Sequence, residues 1–494
     1  MRRGIDAGSL SNVVAFTGPF ALYVASLAPG VAFWDTGEMQ TVPNLLGIAH
    51  PTGFPAFVLG GWAFAHVVPF GDPAWRISLF SALAAAGAAS VLAWFVRMLT
   101  GDALVATVAA LVYAVGDVVW TRGARADVHD LALLFTALAF TQALRAARER
   151  SAQALAFAAL ACGCGLATHP VVAFDLPGVV IIAWPEVRRL RGAALARIAA
   201  AAVVPLAIYA YVPLRSAYVE HHGLDPQAAL GLTGGAFWNY DAPSNLARFA
   251  RYVSGASFHP GSAFREAASS GGVARSVALV HTVATGEFGL VLLALVFTGF
   301  VYLVACERRV AIAFAALFVA AAAFAPNYRP ESDAVRYALG PLWAAGACAG
   351  VGAWWLVASL VGERSRAVSL LTAALLLAGA APSVAPAARD VAHRRHFDDA
   401  RRLGLDVAYR TADGSLVIAS WTFAAPLAYD AYVAKSFGHR HLLSGWPSEF
   451  GGRLTGWRTR FKHVYYVFAA TYYPGPNVAL LFRNDRWQLA ELRR

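Results

Sequence analysis

The sequence predicts a mainly α, polytopic membrane protein with about 11 transmembrane helices, interfacial helices in the first outer loop and a small C-terminal α/β extracytoplasmic domain. Three observations predict it. Of the 494 residues, 58% are hydrophobic and only 14% charged, with a mean hydropathy of +0.53, a balance suited to a multi-span membrane chain. Several runs of about 18 or more residues are nearly free of charge, each long enough to cross a bilayer. Arginine is concentrated in alternate connections, as the positive-inside rule requires.

Arg2 and Arg3 precede a first apolar segment, Ser11–Phe33, which is longer than the usual core of a cleavable signal. A retained helix with its N-terminus inside delivers Asp35 to the outer face. Residues 36–73 contain Pro43, Pro51, Pro55, Pro69 and Pro73. Proline ends or bends helices, so two short interfacial or re-entrant helices fit better than a crossing. Further spans are expected at 74–99, 103–120, 131–144, 152–168, 171–184, 196–214, 276–305, 310–325, 334–361 and 367–381. Inner connections then hold Arg97, the Arg145–Arg150 group, Arg188 to Arg197, Arg308 with Arg309, and Arg364 with Arg366. Eleven crossings leave the C-terminus outside.

Residues 1–386 are expected to form the membrane domain, with 33–73 as its first outer loop and 215–275 as a large second one. Residues 387–494 form the α/β domain. A charged helix is expected over 393–405. Residues 415–420 read as a buried strand, followed by a helix to about Lys435, and strands are expected at 464–469 and 478–482. No glycine-rich phosphate loop is present, so no nucleotide is assigned. This tail carries 16 Lys+Arg against 9 Asp+Glu, which is +7 of the net charge of +11. Its basic charge suits anionic headgroups or phosphate-bearing substrates. Nucleic acid is not an expected partner, because no recognition module accompanies the charge. The four cysteines lie in or at the ends of apolar segments, and suit neither a disulfide framework nor a metal site.

The polar residues of interest gather on the expected outer side. Asp35 and Glu38 are three apart, so they share a helical face or converge from a loop. A positioned carboxylate there accepts a proton from a hydroxyl or binds a divalent cation. The same spacing also suits a helix cap. His50, before Pro51, suits a phosphate or sugar hydroxyl as well as a structural role. Arg125 and Asp127 open the fourth span, where they also read as a snorkelling cation and an N-terminal acid. Arg215 and Arg336, the latter in the stretch Asp333–Tyr337, suit forked bonds to a lipid phosphate or ordinary interface anchoring.

The succession Trp34-Asp-Thr-Gly-Glu38, Gly47-Ile-Ala-His-Pro-Thr-Gly-Phe-Pro55 and Ala74-Trp-Arg-Ile-Ser-Leu-Phe-Ser-Ala-Leu83 resembles the motifs W-D-[ST]-G-E, G-x-x-H-P-[PT]-G-[FY]-P and W-R-x-N-L-x-S-A-L. These belong to a multi-span family whose eukaryotic members are protein O-mannosyltransferases of the GT-C superfamily. Looser echoes are Arg125-Ala-Asp-Val (a Glu is usual at the acid), Val212-Pro-Leu-Arg215, Trp238-Asn-Tyr-Asp-Ala-Pro243 (Gly-Asp-Pro is the usual ending) and Asp333-Ala-Val-Arg-Tyr337.

The resemblance implies a GT-C-like membrane glycosyltransferase of class EC 2.4. It would move a sugar, a hexose such as mannose, from a polyprenyl-phosphate carrier to a protein hydroxyl or cell-envelope glycan, with inversion. Carried over, the role of catalytic base falls on Asp35 or Glu38. Trp34, His50, Arg125, Asp127, Arg215, Asp333, Arg336 and Tyr337 are the expected substrate-binding residues. No cofactor is expected; a divalent cation is compatible with the site but is not required by the reading. The implied location is the bacterial inner membrane, with the active site and tail on the periplasmic face. A lipid-linked sugar flippase is the rival class, but such transporters commonly show inverted repeats and midplane polar sites, and neither is visible here.

Overall fold

The structure is a computed structural model, described for residues 7–259, 261–328, 334–362, 366–396, 398–472 and 478–493. The chain divides into two compact units. One comprises residues 1–26, 81–208 and 258–394, and the other residues 27–80, 209–257 and 395–494.

Among the described residues, eight helices are long and apolar enough to cross a membrane, or nine if one bent pair counts as a span. They are Gly8–Ser26, Pro73–Thr100, Val128–Glu149, Gly192–His221, Ser270–Cys306, Arg308–Asn327, Ala334–Val361 and Arg366–His393. The chain is therefore the polytopic, mainly helical protein that its hydropathy predicts. Two further expected spans coincide with shorter apolar helices, Ala152–Thr168 and Leu176–Val187. The first helix stops at Ser26 rather than Phe33 because Pro29-Gly30 follows. The last extends to Arg395, with Pro382 and Pro386 inside it, so the charged helix after it begins at Asp399.

In the first unit, Ala103–Ala114 and Asp117–Gly123 meet at a bend of 76°. Glu287 is buried there and accepts the Val118 N–H at 2.7 Å. A carboxylate inside an apolar bundle is costly unless hydrogen-bonded, and this bond satisfies an amide that the broken helix leaves open. Downstream, Ser81 accepts the backbone N–H of Asp127 at 3.0 Å and donates to its carbonyl at 3.2 Å. Asp127 in turn caps Val128–Glu149, accepting the His129 N–H at 3.0 Å.

The second unit holds the expected loop helices, observed as Trp34–Leu45 and Pro55–Val67. It also holds a five-stranded sheet of order β2-β1-β3-β5-β4. The strands are β1 (Leu416–Ala419), β2 (His441–Ser444), β3 (Val464–Ala469), β4 (Val478–Arg483) and β5 (Trp487–Leu492). Strand β1 runs parallel to both β2 and β3, whereas β5 is antiparallel to β3 and β4. All four residues of β1, Leu-Val-Ile-Ala, are buried, as a central parallel strand covered on both faces must be. Residues of the long connection holding Pro226–Leu230 join the core of the sheet: Leu230 packs with Leu416, Ile418 and Trp457, and accepts the Trp457 indole N–H at 3.1 Å.

The helix Trp421–Tyr432 follows β1 and lies along Trp34–Leu45. At its far end Tyr429 donates to Asp72 at 2.5 Å and accepts the Ala74 N–H at 3.2 Å. Burial, with the Asp72 charge as a lesser cause, pushes the neighbouring Asp430 carboxyl up to about 6. Between the unfolded value of about 4 and 6, the folded state binds the extra proton, so stability falls as pH rises through this window. Asp430→Asn should therefore raise the thermal unfolding midpoint at pH 7.5, by about 1–2 kcal/mol in stability, and leave it little changed at pH 4. Thermal unfolding of the detergent-solubilised protein across pH 4–8 measures this; parallel curves for the two proteins would contradict it.

Candidate functional site

The second unit gathers Trp34, Asp35, Glu38 and His50 around the start of Trp34–Leu45. The helix begins without a side-chain cap, its N-cap being Phe33. Asp35 thus sits in the first turn, where the helix dipole favours negative charge, rather than acting as the cap itself. Trp34 takes a left-handed φ of 59° and is 53% exposed. A bulky residue in that conformation is strained, and such strain collects at functional sites.

Glu38 is completely buried, and both of its oxygens are engaged by one residue. Oε1 accepts the backbone N–H of His50 at 2.7 Å, and Oε2 forms a very short bond with His50 Nδ1. This clamp ties the helix to the segment 46–54. Asp35 is only partly buried and accepts the indole N–H of Trp421 at 2.9 Å. Trp421 stacks on Phe237 at 5.3 Å with their planes 4° apart, and meets the rings of His50 and Tyr240 edge-on. Burial, then the charges of Glu38, Asp241 and Asp35, push the Tyr240 phenol well up, so it remains a neutral hydrogen-bonding group. Asp35, Glu38 and His50 offer three potential ligand atoms within 4.8 Å of one another. Two carboxylates and an imidazole form a donor set that a divalent ion such as zinc accepts.

Close backbone approach explains two motif glycines. A Cβ on Gly37 would lie 2.2 Å from the Ala32 carbonyl oxygen and 3.2 Å from the Ala425 methyl of the tail helix. A Cβ on Gly47 would lie 2.0 Å from the Phe237 carbonyl oxygen. There Ile48 donates to Trp238 O at 3.2 Å, and Tyr240 donates to Ile48 O at 3.4 Å, so the segment 237–240 is laced to the motif. Arg76 of the third motif donates to the carbonyls of Ala65, Phe70 and Gly71. Ser78, where the family usually has Asn, accepts from Gln40 at 3.0 Å.

Arg215 closes the other end of Trp34–Leu45. Its guanidinium donates to Leu46 O at 2.7 Å and Leu45 O at 3.1 Å, with Tyr211 OH also on Leu46 O at 2.6 Å. A cation suits the negative end of a helix, and these bonds occupy part of the fork that a phosphate would need.

A second group lies in the first unit. Buried Asp127 accepts from Arg122 at 3.1 Å and Arg125 at 3.4 Å, and its Oδ1 lies 2.8 Å from His129 Nδ1. The His129 ring is flanked by His169 at 4.3 Å and Tyr337 at 5.3 Å. Arg336, Tyr337 and His129 line a small cavity together with Thr136 and Asp175. Asp333 lies outside the described residues. Sequence reasoning missed Trp421, Phe237 and the contact role of Tyr240. The available signal for Trp421 was its place one residue beyond the buried strand 415–420, since the carboxyl ends of such strands commonly carry binding residues.

The fold and the loop define a polytopic membrane protein of GT-C-like architecture. Across 97% of both chains the structure matches ArnT from Cupriavidus metallidurans, with a TM-score of 0.57 in its apo state and 0.56 bound to undecaprenyl phosphate. At 14% identity in each case this is a likeness of fold. The pattern defining the N-terminal domain of protein O-mannosyl-transferase TMEM260 matches residues 35–188. The mouse protein of that name is 33% identical over 226 residues, 44% of this chain and 31% of its own length. The Dictyostelium discoideum protein is 25% identical over 128 residues, 26% of this chain and 16% of its own. The chain thus spans less than a third of the length of these relatives, and over that stretch its resemblance to the O-mannosyltransferase family is established.

Gly37→Ala should push the start of Trp34–Leu45 off the Ala32 carbonyl and crowd Ala425, at a cost of about 1–3 kcal/mol. A lowered unfolding midpoint checks this; an unchanged midpoint would show that the close approach contributes nothing.

Proposed function

We propose that the protein is an inverting, polyprenyl-phosphate-dependent glycosyltransferase of the outer membrane face, with Asp35 as its catalytic base. The observation that carries this reading is the division between two carboxylates in the matched loop. Glu38 is sealed and clamped on His50, whereas Asp35 is partly open and held in the first turn.

The chemistry follows from that division. An acceptor hydroxyl, on a protein side chain or a cell-envelope glycan, approaches Asp35. As its oxygen forms a bond to the anomeric carbon, the proton passes to the carboxylate. The bond from the anomeric carbon to the phosphate oxygen breaks on the opposite side, and its electron pair leaves with the lipid phosphate. Attack from the face opposite the leaving group inverts the configuration. Arg125 and Arg336 are the cations assigned to the developing phosphate charge. Arg215, bonded to the end of the loop helix, acts mainly by holding it. Trp34 and His50 are assigned to the sugar or acceptor, and Asp127, Asp333 and Tyr337 to the donor side. Mannose is the sugar favoured by the mouse relative's name, and a polyprenyl carrier is favoured by the lipid bound to ArnT.

No metal is required by this scheme, since an arginine-neutralised monophosphate can leave without one. The acidic site nevertheless has ligands for a cation, so chelation is a direct test: activity should survive EDTA, and loss restored by added zinc would assign a metal to Asp35, Glu38 and His50.

Transfer from synthetic polyprenyl-phosphate mannose should fall about 10²–10⁴-fold in Asp35→Asn. Glu38→Gln should lose activity together with thermal stability, because it loosens the His50 clamp. Full transfer by Asp35→Asn would remove Asp35 as base. Movement of the lipid-linked sugar across vesicles without transfer would replace the enzyme by a flippase.

A further inference from the structure

We infer that Trp421, supplied by the tail, is a positioning residue for the Asp35 carboxylate, so the α/β part belongs to the catalytic apparatus. This inference rests on the reading of Asp35 as base.

The indole N–H is a donor only, and it is spent on Asp35 Oδ1 at 2.9 Å. A ring without a donor would have sufficed to fill the space, but a hydrogen bond to a carboxylate is directional and stronger than a neutral one. The indole itself has little freedom. Phe237 covers one face in a near-parallel stack, and the His50 and Tyr240 rings abut it edge-on. Its backbone is equally fixed, being the first residue of a helix that starts where buried β1 ends. That helix is pinned at its start, where Ser420 N donates to Val467 O at 3.2 Å. It is pinned again at its end, where Tyr429 bonds Asp72 and Ala74. Between these points Ala425 meets Gly37. The donor is therefore carried by a rigid element, as a preorganised site demands.

The bond sets the direction of the acid. Holding one oxygen fixes the carboxylate plane relative to the acceptor.

Trp421→Phe keeps a ring on Phe237 and deletes only the donor, and Trp421→Tyr serves as a second ring-retaining variant. The Asp35 carboxylate stretch, identified by its loss in Asp35→Asn, can be followed at fixed pH by infrared difference spectroscopy. The band should shift in Trp421→Phe, because one oxygen loses its donor. At the same time kcat should fall about tenfold with KM little changed, and the fall should vanish in the Asp35→Asn background. An unmoved band, or losses that add in the double variant, would overturn the inference and leave Trp421 as packing. If the band moves but Asp35→Asn retains transfer, the positioning stands and the assignment of Asp35 as base fails.

Discussion

The bond between Glu38 and His50 is the constraint on which the rest of the site depends. A carboxylate with no exposed surface is tolerable only if its lone pairs are satisfied, and here a single residue satisfies both oxygens. The consequence is geometric. With His50 fixed to the helix, the segment 46–54 cannot drift, and Gly47 can accept the loop around Phe237 against its backbone. That loop carries Phe237, on which Trp421 rests. One buried acid thus orders three separate stretches of chain around a second acid that remains accessible.

The two ends of Trp34–Leu45 are served by different chemistry. At the start, Asp35 lies on the positive end of the dipole and receives an indole N–H. At the finish, Arg215 and Tyr211 donate to the open carbonyls of residues 45–47. A twelve-residue helix is marginal by itself, so these end contacts and the Gly37–Ala425 crossing supply what its own length does not.

Much of the fold was legible because a bilayer imposes long apolar runs, and the arginine pattern marks the connections between them. Strand β1 was legible for the same reason on a smaller scale, as four consecutive buried apolar residues. Strands β2 and β5 were not: His441–Ser444 is short, and Trp487–Leu492 mixes Gln and Glu with its apolar residues. In the candidate site, Asp35, Glu38 and His50 could be singled out because they are close in sequence and polar beside an apolar segment. Arg215 could equally have been an interface anchor or a phosphate ligand, because only tertiary structure brings the carbonyls of Leu45 and Leu46 to it. Trp421 carried one general signal, its place just beyond the buried strand 415–420, but no local pattern announces its partner 386 residues away.

That separation has a consequence for biosynthesis. The loop helix leaves the ribosome 386 residues before Trp421 does, an interval of about 20–80 s at ordinary elongation rates. Throughout it, Gly37 lacks Ala425 and Asp35 lacks its indole donor. The carboxylate pair therefore matures only when the last part of the chain has been made and folded, and a truncated product would present an incomplete site. The order of synthesis therefore sets the order in which these contacts are assembled.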